Sequence, residues 1–204
     1  MAYEKFLSTV PHYMALAMED FDWTDEDASA CFGNGGHESG GFTLLQELKP
    51  TVAGSRGGFG WYQWTGARRV AFEQYCARNK LDPKSDEANY KFMFVELKGS
   101  ESAAVSATRN AGKGIDDFDQ RLMAKVKAFE LNFERAGVKH YDSRFKYAKM
   151  AYYAYNAQDD KKPGEAPKSS PVPVQPPAVP SAPTPVAEAR KGIFWQVLNK
   201  IIGA

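Results

Sequence analysis

The segment Cys31-Phe32-Gly33-Asn34-Gly35-Gly36-His37-Glu38-Ser39-Gly40-Gly41-Phe42 sets five glycines around one carboxylic acid, Glu38. Each glycine inside a helix costs about 1 kcal/mol relative to alanine, so the three that precede Glu38 need a reason. Close approach of a ligand or of a second backbone to the helix end is such a reason. On composition alone, a catalytic acid and a solvated loop carboxylate both stay open. A second unusual stretch runs from Gly54 to Gly66, where Phe59, Trp61, Tyr62 and Trp64 sit among glycines with Gln63. Aromatic rings of this kind can stack on the flat apolar faces of sugars while an amide hydrogen-bonds their hydroxyls. A buried aromatic strand fits the alternation equally, because Phe59, Trp61 and Gln63 share one side and Gly60, Tyr62 and Trp64 the other. The stretch lacks Gly-Lys-Ser/Thr and is not a phosphate loop.

Other chemistries find little support. His12, His37 and His140 stand singly, without the paired spacing of a zinc peptidase. Cys31 and Cys76 are too few for a disulfide framework or a cysteine-based zinc site, and they read as free thiols of a protein made in a reducing cytoplasm. A cysteine amidase or endopeptidase would need a base beside one of them, and none adjoins either in sequence. No metal and no cofactor is therefore expected.

The elements that position these residues read as mainly helical. Thr24-Asp25-Glu26-Asp27 has the capping-box pattern and starts a helix that runs toward Glu38. A helix from Gly66 carries Val70, Phe72, Tyr75 and Cys76 on a broad face and stops at Asp82-Pro83. Further helices fit Asp86 to Lys98, closed by Gly99, and Glu101 to Asn110, closed by Gly112. The longest fits Asp116 to Arg135, with Phe118, Leu122, Val126, Phe129 and Phe133 as a core stripe. The last fits Ser143 to Asn156. Between Gly40 and Thr65 the pattern of Gly, Thr, Val and aromatics predicts short strands or a hairpin.

The chain has 204 residues, 43% of them hydrophobic, and 26 basic side chains against 25 acidic ones. A net charge of +1 gives no electrostatic ground for nucleic acid as partner. No apolar run is long enough to span a bilayer, and residues 1–12 lack the features of a secretory signal peptide. Nine of the 12 prolines lie between Pro163 and Pro185, which predicts a polyproline-II linker. The expected organisation is a domain at 1–158, a linker at 159–187 and a short amphipathic helix at 188–204. In that helix Ile193, Phe194, Val197, Leu198 and Ile201 recur at helical spacing near Arg190, Lys191 and Lys200. Too short to cross a bilayer, it needs a surface to lie on: a membrane, another protein or the parent domain.

His37-Glu38-Ser39-Gly40-Gly41, followed by Gly60-Trp61-Tyr62-Gln63-Trp64-Thr65-Gly66-Ala67-Arg68-Arg69, resembles the phage tail lysozymes and endolysins of the lysozyme-like superfamily. Phe133-Glu134-Arg135-Ala136-Gly137-Val138 resembles a further motif of these enzymes, which more often has Pro at the position of Ala136. Ala154-Tyr155-Asn156-Ala157 resembles the Ala-Tyr-Asn motif of lytic transglycosylases, with Gln158 in place of the usual Gly. The resemblance covers residues 20–157 and implies an α+β, mainly α, lysozyme-like domain with a small β region beside a sugar cleft.

It implies cleavage of the β-1,4 bond between N-acetylmuramic acid and N-acetylglucosamine in peptidoglycan, with Glu38 as general acid. Gln63 would line the cleft and orient substrate or water, with Phe59, Trp61, Tyr62, Trp64, Tyr155 and Asn156 as sugar contacts. Glu47 lies nine residues after Glu38, where phage lysozymes carry a second acidic residue, although the Thr usual six positions further on is Ala53 here. With Glu47 the reaction would be hydrolysis; without it, a lytic transglycosylase in which the substrate's own 6-hydroxyl closes the ring. A non-catalytic virion or wall-binding protein keeping the fold is the alternative from another class. The resemblance also implies synthesis in a bacterial host and action at the peptidoglycan layer, after passage through a holin pore or in a phage particle. Residues 190–204 would then hold the enzyme to a membrane surface or a virion protein.

Overall fold

The computed structural model describes residues 2–50 and 54–159. Among these residues the fold is built from seven α-helices: α1 (Ala2–Phe21), α2 (Asp25–Glu38), α3 (Gly66–Asn79), α4 (Asp86–Lys98), α5 (Ser102–Asn110), α6 (Phe118–Phe129) and α7 (Tyr141–Asp159). A wide π-helical turn, Glu130–Glu134, extends α6.

Helix α2 is the axis of the domain. Every residue from Asp27 to Gly36 is buried, with α1, α6 and α7 packed around it. Its start is fixed as the sequence implies, because Thr24 Oγ1 accepts from Asp27 N–H while the Asp27 carboxylate accepts from Thr24 N–H. Two cations from α6 secure the same end: Lys125 Nζ lies 2.6 Å from Asp27 in a buried pair, and Arg121 lies 2.7 Å from Glu26. The glycines of α2 let neighbours come close. A Cβ on Gly33 would sit 2.6 Å from the backbone nitrogen of Ala148 in α7, and one on Gly36 would meet the rings of Phe6 and Tyr147. A second backbone therefore accounts for Gly33.

Helices α3 and α4 follow the predicted ranges closely, and α5 and α7 agree within a turn or so at their ends. Val70 of α3 departs from its expected face: it is 43% exposed, while Phe72 and Cys76 are buried. The sequence did not disclose α1. Its buried stripe of Phe6, Val10, Met14, Ala17 and Phe21 has helical spacing, but Pro11 lies inside the helix, where the missing N–H and the ring normally mark an end. Tertiary packing of the stripe outweighs that local penalty.

The segment expected to form strands does so only in rudiment. Among the described residues it holds two isolated antiparallel bridges, Gln46 with Phe59 and Phe59 with Trp64, and no strand. Side-chain anchors do the work of a ladder: Arg69 donates to the carbonyls of Arg56 and Gly57 and to Gln46 Oε1. The expected linker and C-terminal helix lie outside the described residues.

Candidate active site

Glu38 is the last residue of α2. A helix C-terminus concentrates carbonyl dipoles, an unfavourable place for a bare carboxylate, and a cation from another element offsets it. Arg144 Nη2 of α7 donates to Glu38 Oε1. The guanidinium is almost completely enclosed, with its side chain 1% exposed, whereas the Glu38 side chain keeps 20% of its surface open. Arg144 is held on every side: Nε donates to the Lys139 carbonyl at 2.7 Å, and Nη1 donates to Asn34 Oδ1 at 2.9 Å. Asn34, one turn before Glu38, is buried and gives its own amide protons to the carbonyls of Ala30 and Val126. An acid with one open face therefore stands on a buried polar frame whose rotamers are fixed.

His37 and Ser143 close one flank. His37 Nδ1 and Ser143 Oγ share a hydrogen bond of 2.8 Å, and the rings of His37 and His140 lie 5.4 Å apart. Burial, then the nearby Arg144 and His140, push the His37 imidazole down to about 4, so it is neutral at neutral pH. A hollow of about 450 Å³ bounded by His140, Tyr141, Asp142 and Ser143 lies at the start of α7.

Behind Glu38 lies a carboxyl for which sequence reasoning assigned no role. Glu134 ends the π-helical turn, and its Oε1 is shut off from solvent without a hydrogen-bond partner among the described residues. Burial, then the neighbouring Glu38 carboxylate, hold its carboxyl well above the usual range, while Arg144 and Arg68 act in the opposite direction. Arg68 is already committed. Its Nε and Nη2 form a fork on Glu96 at 2.7 Å each, and Nη1 donates to the Phe133 carbonyl. Glu96 also accepts from Trp64 Nε1 at 2.7 Å. The signal for this cluster was present in Phe133-Glu134, but one carboxylate at the end of a helical stripe carries no mark of depth.

The remaining expected site residues lie elsewhere or do other work. Trp61, Tyr62 and Trp64 are 0%, 2% and 1% exposed, and Phe59 is 8% exposed. Trp61 stacks on Phe42 at 4.2 Å between centroids, and Trp64 packs on Phe72 and Phe92. Their faces are occupied by the core, so they are not sugar-stacking platforms; the alternation had left this outcome open. The Glu47 carboxylate accepts from Gly58 N–H at 2.8 Å and holds the loop closed. Gln63, with φ +46°, spends its amide protons on the carbonyls of Leu44, Leu45 and Gly60. Asn156 bonds Asp25 at the opposite end of α2, about 20 Å from Glu38 at 1.5 Å per residue. Tyr155 packs against the core one residue earlier in α7. Cys31 and Cys76 are buried free thiols whose ionisation burial opposes; at Cys31 the hydrogen bond with Tyr62 acts the other way without offsetting burial. No cluster of three metal-ligating side chains occurs among the described residues.

The family model described as phage tail lysozyme matches residues 11–155 of the chain. The match takes in Glu38, Glu134 and Arg144, with all of α2, the π-helical turn and α7 as far as Tyr155. No curated protein and no solved structure matches the chain.

Proposed function

The chain belongs to the phage tail lysozyme family, whose kind is a peptidoglycan-lytic enzyme, and from that premise we propose that it cleaves the β-1,4 bond between N-acetylmuramic acid and N-acetylglucosamine with Glu38 as general acid. The observation that carries this reading is the contrast in exposure at the end of α2: an accessible carboxyl supported by a fully enclosed Arg144 and Asn34. Catalytic groups need that combination of one reachable face and fixed orientation. In the Michaelis complex the glycosidic oxygen approaches the open face of Glu38, takes its proton as the C1–O bond breaks, and leaves as a hydroxyl.

Hydrolysis then requires a water activated by, or a cation stabilised by, a second carboxylate. The engagement of Glu47 with Gly58 N–H favours a second route. There the 6-hydroxyl of the muramic acid attacks C1, its proton returns to Glu38, and a 1,6-anhydro end forms. Mass spectrometry of released muropeptides separates the two: reducing muramic acid ends mean hydrolysis, anhydro ends mean transglycosylation. Glu38→Gln, folded by circular dichroism, tests the whole reading. Loss of at least about 100-fold in muralytic rate is expected, and retention of more than about a tenth would overturn it.

For residues 190–204 the proposed role is a tether to an anionic membrane or to a virion component. Deleting residues 186–204 is expected to spare cleavage of soluble glycan fragments and to abolish either co-sedimentation with anionic liposomes or incorporation into particles. Loss of cleavage on soluble fragments would refute the tether.

A further inference from the structure

The resting arrangement poses a chemical question. A general acid must carry a proton, yet Glu38 is the ion-pair partner of Arg144, the arrangement of an ionised carboxylate. The neighbouring Glu134 supplies an answer, and it rests on the reading of Glu38 as the acid. We propose that Glu38 and Glu134 share Arg144 as the one counter-ion left to them among the described residues, hold a single proton between them, and that Glu134 is thereby a positioning residue for the protonation of Glu38.

The geometry leaves few other arrangements. Glu134 Oε1 is enclosed and without a hydrogen-bond partner among the described residues. The charged and titratable groups around it come from every neighbouring element: Cys31 and Glu38 of α2, Tyr62 of the loop, Arg68 of α3, Glu96 of α4 and Arg144 of α7. Cys31 and Tyr62 are neutral, because burial holds each against ionisation. The Arg68 guanidinium is used on both edges by Glu96 and the Phe133 carbonyl, and it lies over the Phe133 ring at 4.6 Å. The Glu96 charge is cancelled by that fork. Other nearby cations are also committed, Lys139 to Glu130 and Arg135 to Glu101. Among the described residues Arg144 is thus the remaining cation within electrostatic reach of Glu134, and it is the one that holds Glu38.

Two carboxyls and one guanidinium are neutral overall when they carry one proton. In the structure Arg144 holds Glu38, so the proton belongs on Glu134. In the reactive form Glu134 releases its proton within the field of the fixed Arg144 guanidinium, and Glu38 gains one on its solvent-facing side. Charge is conserved at zero in both forms, which matters in an enclosed site where a net charge is costly. Coupled carboxyls lose their protons in two separated steps, so the one-proton form persists across a broad interval of pH. Glu134 ends the π-helical turn beside the buried Phe133, and its Oε1 is shut off from solvent there.

The test is the pH dependence of cleavage by Glu134→Gln over pH 4–9, beside wild type, Glu38→Gln and Glu134→Asp, with melting curves for each. The amide cannot ionise to balance Arg144, so Glu38 stays paired. Across the neutral range where wild type is flat, Glu134→Gln is expected to lose about tenfold in kcat per pH unit, with KM unchanged and activity recovered at acid pH. Glu134→Asp keeps the carboxyl and is expected to keep a flat profile at reduced rate. A Glu134→Gln profile parallel to wild type, whatever its height, would overturn the proposal and leave Glu134 a structural residue. If Glu134→Gln does not fold, a Glu134→Asp profile that falls tenfold per pH unit overturns it and a flat one supports it. Activity surviving in Glu38→Gln would instead sink the assignment of the acid itself, and with it this inference.

Discussion

Replacing Gly33 by alanine adds one methyl group at the closest crossing of α2 and α7. That methyl would lie 2.6 Å from the nitrogen and Cβ of Ala148 and 2.7 Å from its Cα. Carbon atoms in contact normally stand about 3.5–4.0 Å apart, so the helices must part by about 1 Å. No rotamer change relieves the clash, because the obstructing atoms are backbone and a methyl. Overpacking of a dense core costs about 1–3 kcal/mol, and a backbone obstacle belongs at the upper end. The helix propensity of alanine returns about 1 kcal/mol. A net loss of about 2 kcal/mol follows, or about 4–8 °C in Tm for a domain of this size. The consequence for catalysis is larger than for stability, since Arg144 lies one turn before Ala148 and moves with it. Calorimetry and a muralytic assay on the same preparation check both. An unchanged or raised Tm for Gly33→Ala would refute the crossing geometry, and a fall in Tm with full activity would refute the link between that crossing and the acid.

Further outcomes follow from the same contacts. Arg144→Met leaves Glu38 and Asn34 without their cationic partner inside the domain, and a loss of about 3 kcal/mol in urea-melt stability is expected with loss of activity. Stability within 0.5 kcal/mol of wild type, on the order of a surface change, would contradict the enclosed frame. Trp61→Ala empties a fully buried site, so it should cost about 3–5 kcal/mol and leave KM for glycan fragments unaltered in whatever folded protein remains. A selective rise in KM at unchanged stability would restore its role as a sugar contact. His37 gives a pH signature. Its imidazole is neutral in both states above about pH 6.5, and between there and about 4 the unfolded chain binds a proton that the folded site refuses. Stability therefore falls as pH drops through that window, by about 3 kcal/mol at full effect and about 1 kcal/mol once solvent screening of a half-buried ring is allowed for. His37→Gln should lose correspondingly less between pH 7 and 4, measured by urea melts; equal losses would contradict the assignment.

Where local chemistry decides structure, the sequence was readable. Thr24 and Asp27 announce the start of α2, and Gly99 closes α4, because caps satisfy orphan backbone groups close by in the chain. The close approach around the glycines before Glu38 was readable for a related reason, since glycines gather where helices nearly touch. Three features depended on partners distant in the chain and were not readable. Helix α1 is selected by α2 and α7 despite Pro11. The rings of Phe59 to Trp64 satisfy the pattern of a cleft and of a core alike, and only packing on Phe42, Phe72 and Phe92 separates the two. Arg144 and Asn34 are 110 residues apart, so nothing in either neighbourhood announces their bond.

Helix α2 is fastened at both ends, to Lys125 and Arg121 near its start and to Arg144 at its finish, with Gly33 fitted against Ala148 between them. Such a helix has no freedom of phase. One inserted or deleted residue within Asp25–Glu38 turns everything beyond it by about 100° and advances it by 1.5 Å, so it uncouples one set of anchors whichever end is kept. The loop from Gly40 to Thr65 faces no such rule, because its anchors are single side chains reaching carbonyls rather than a helical repeat. Variation in length is therefore admissible in the loop and inadmissible in the helix, so the loop can change while Glu38 stays where it is.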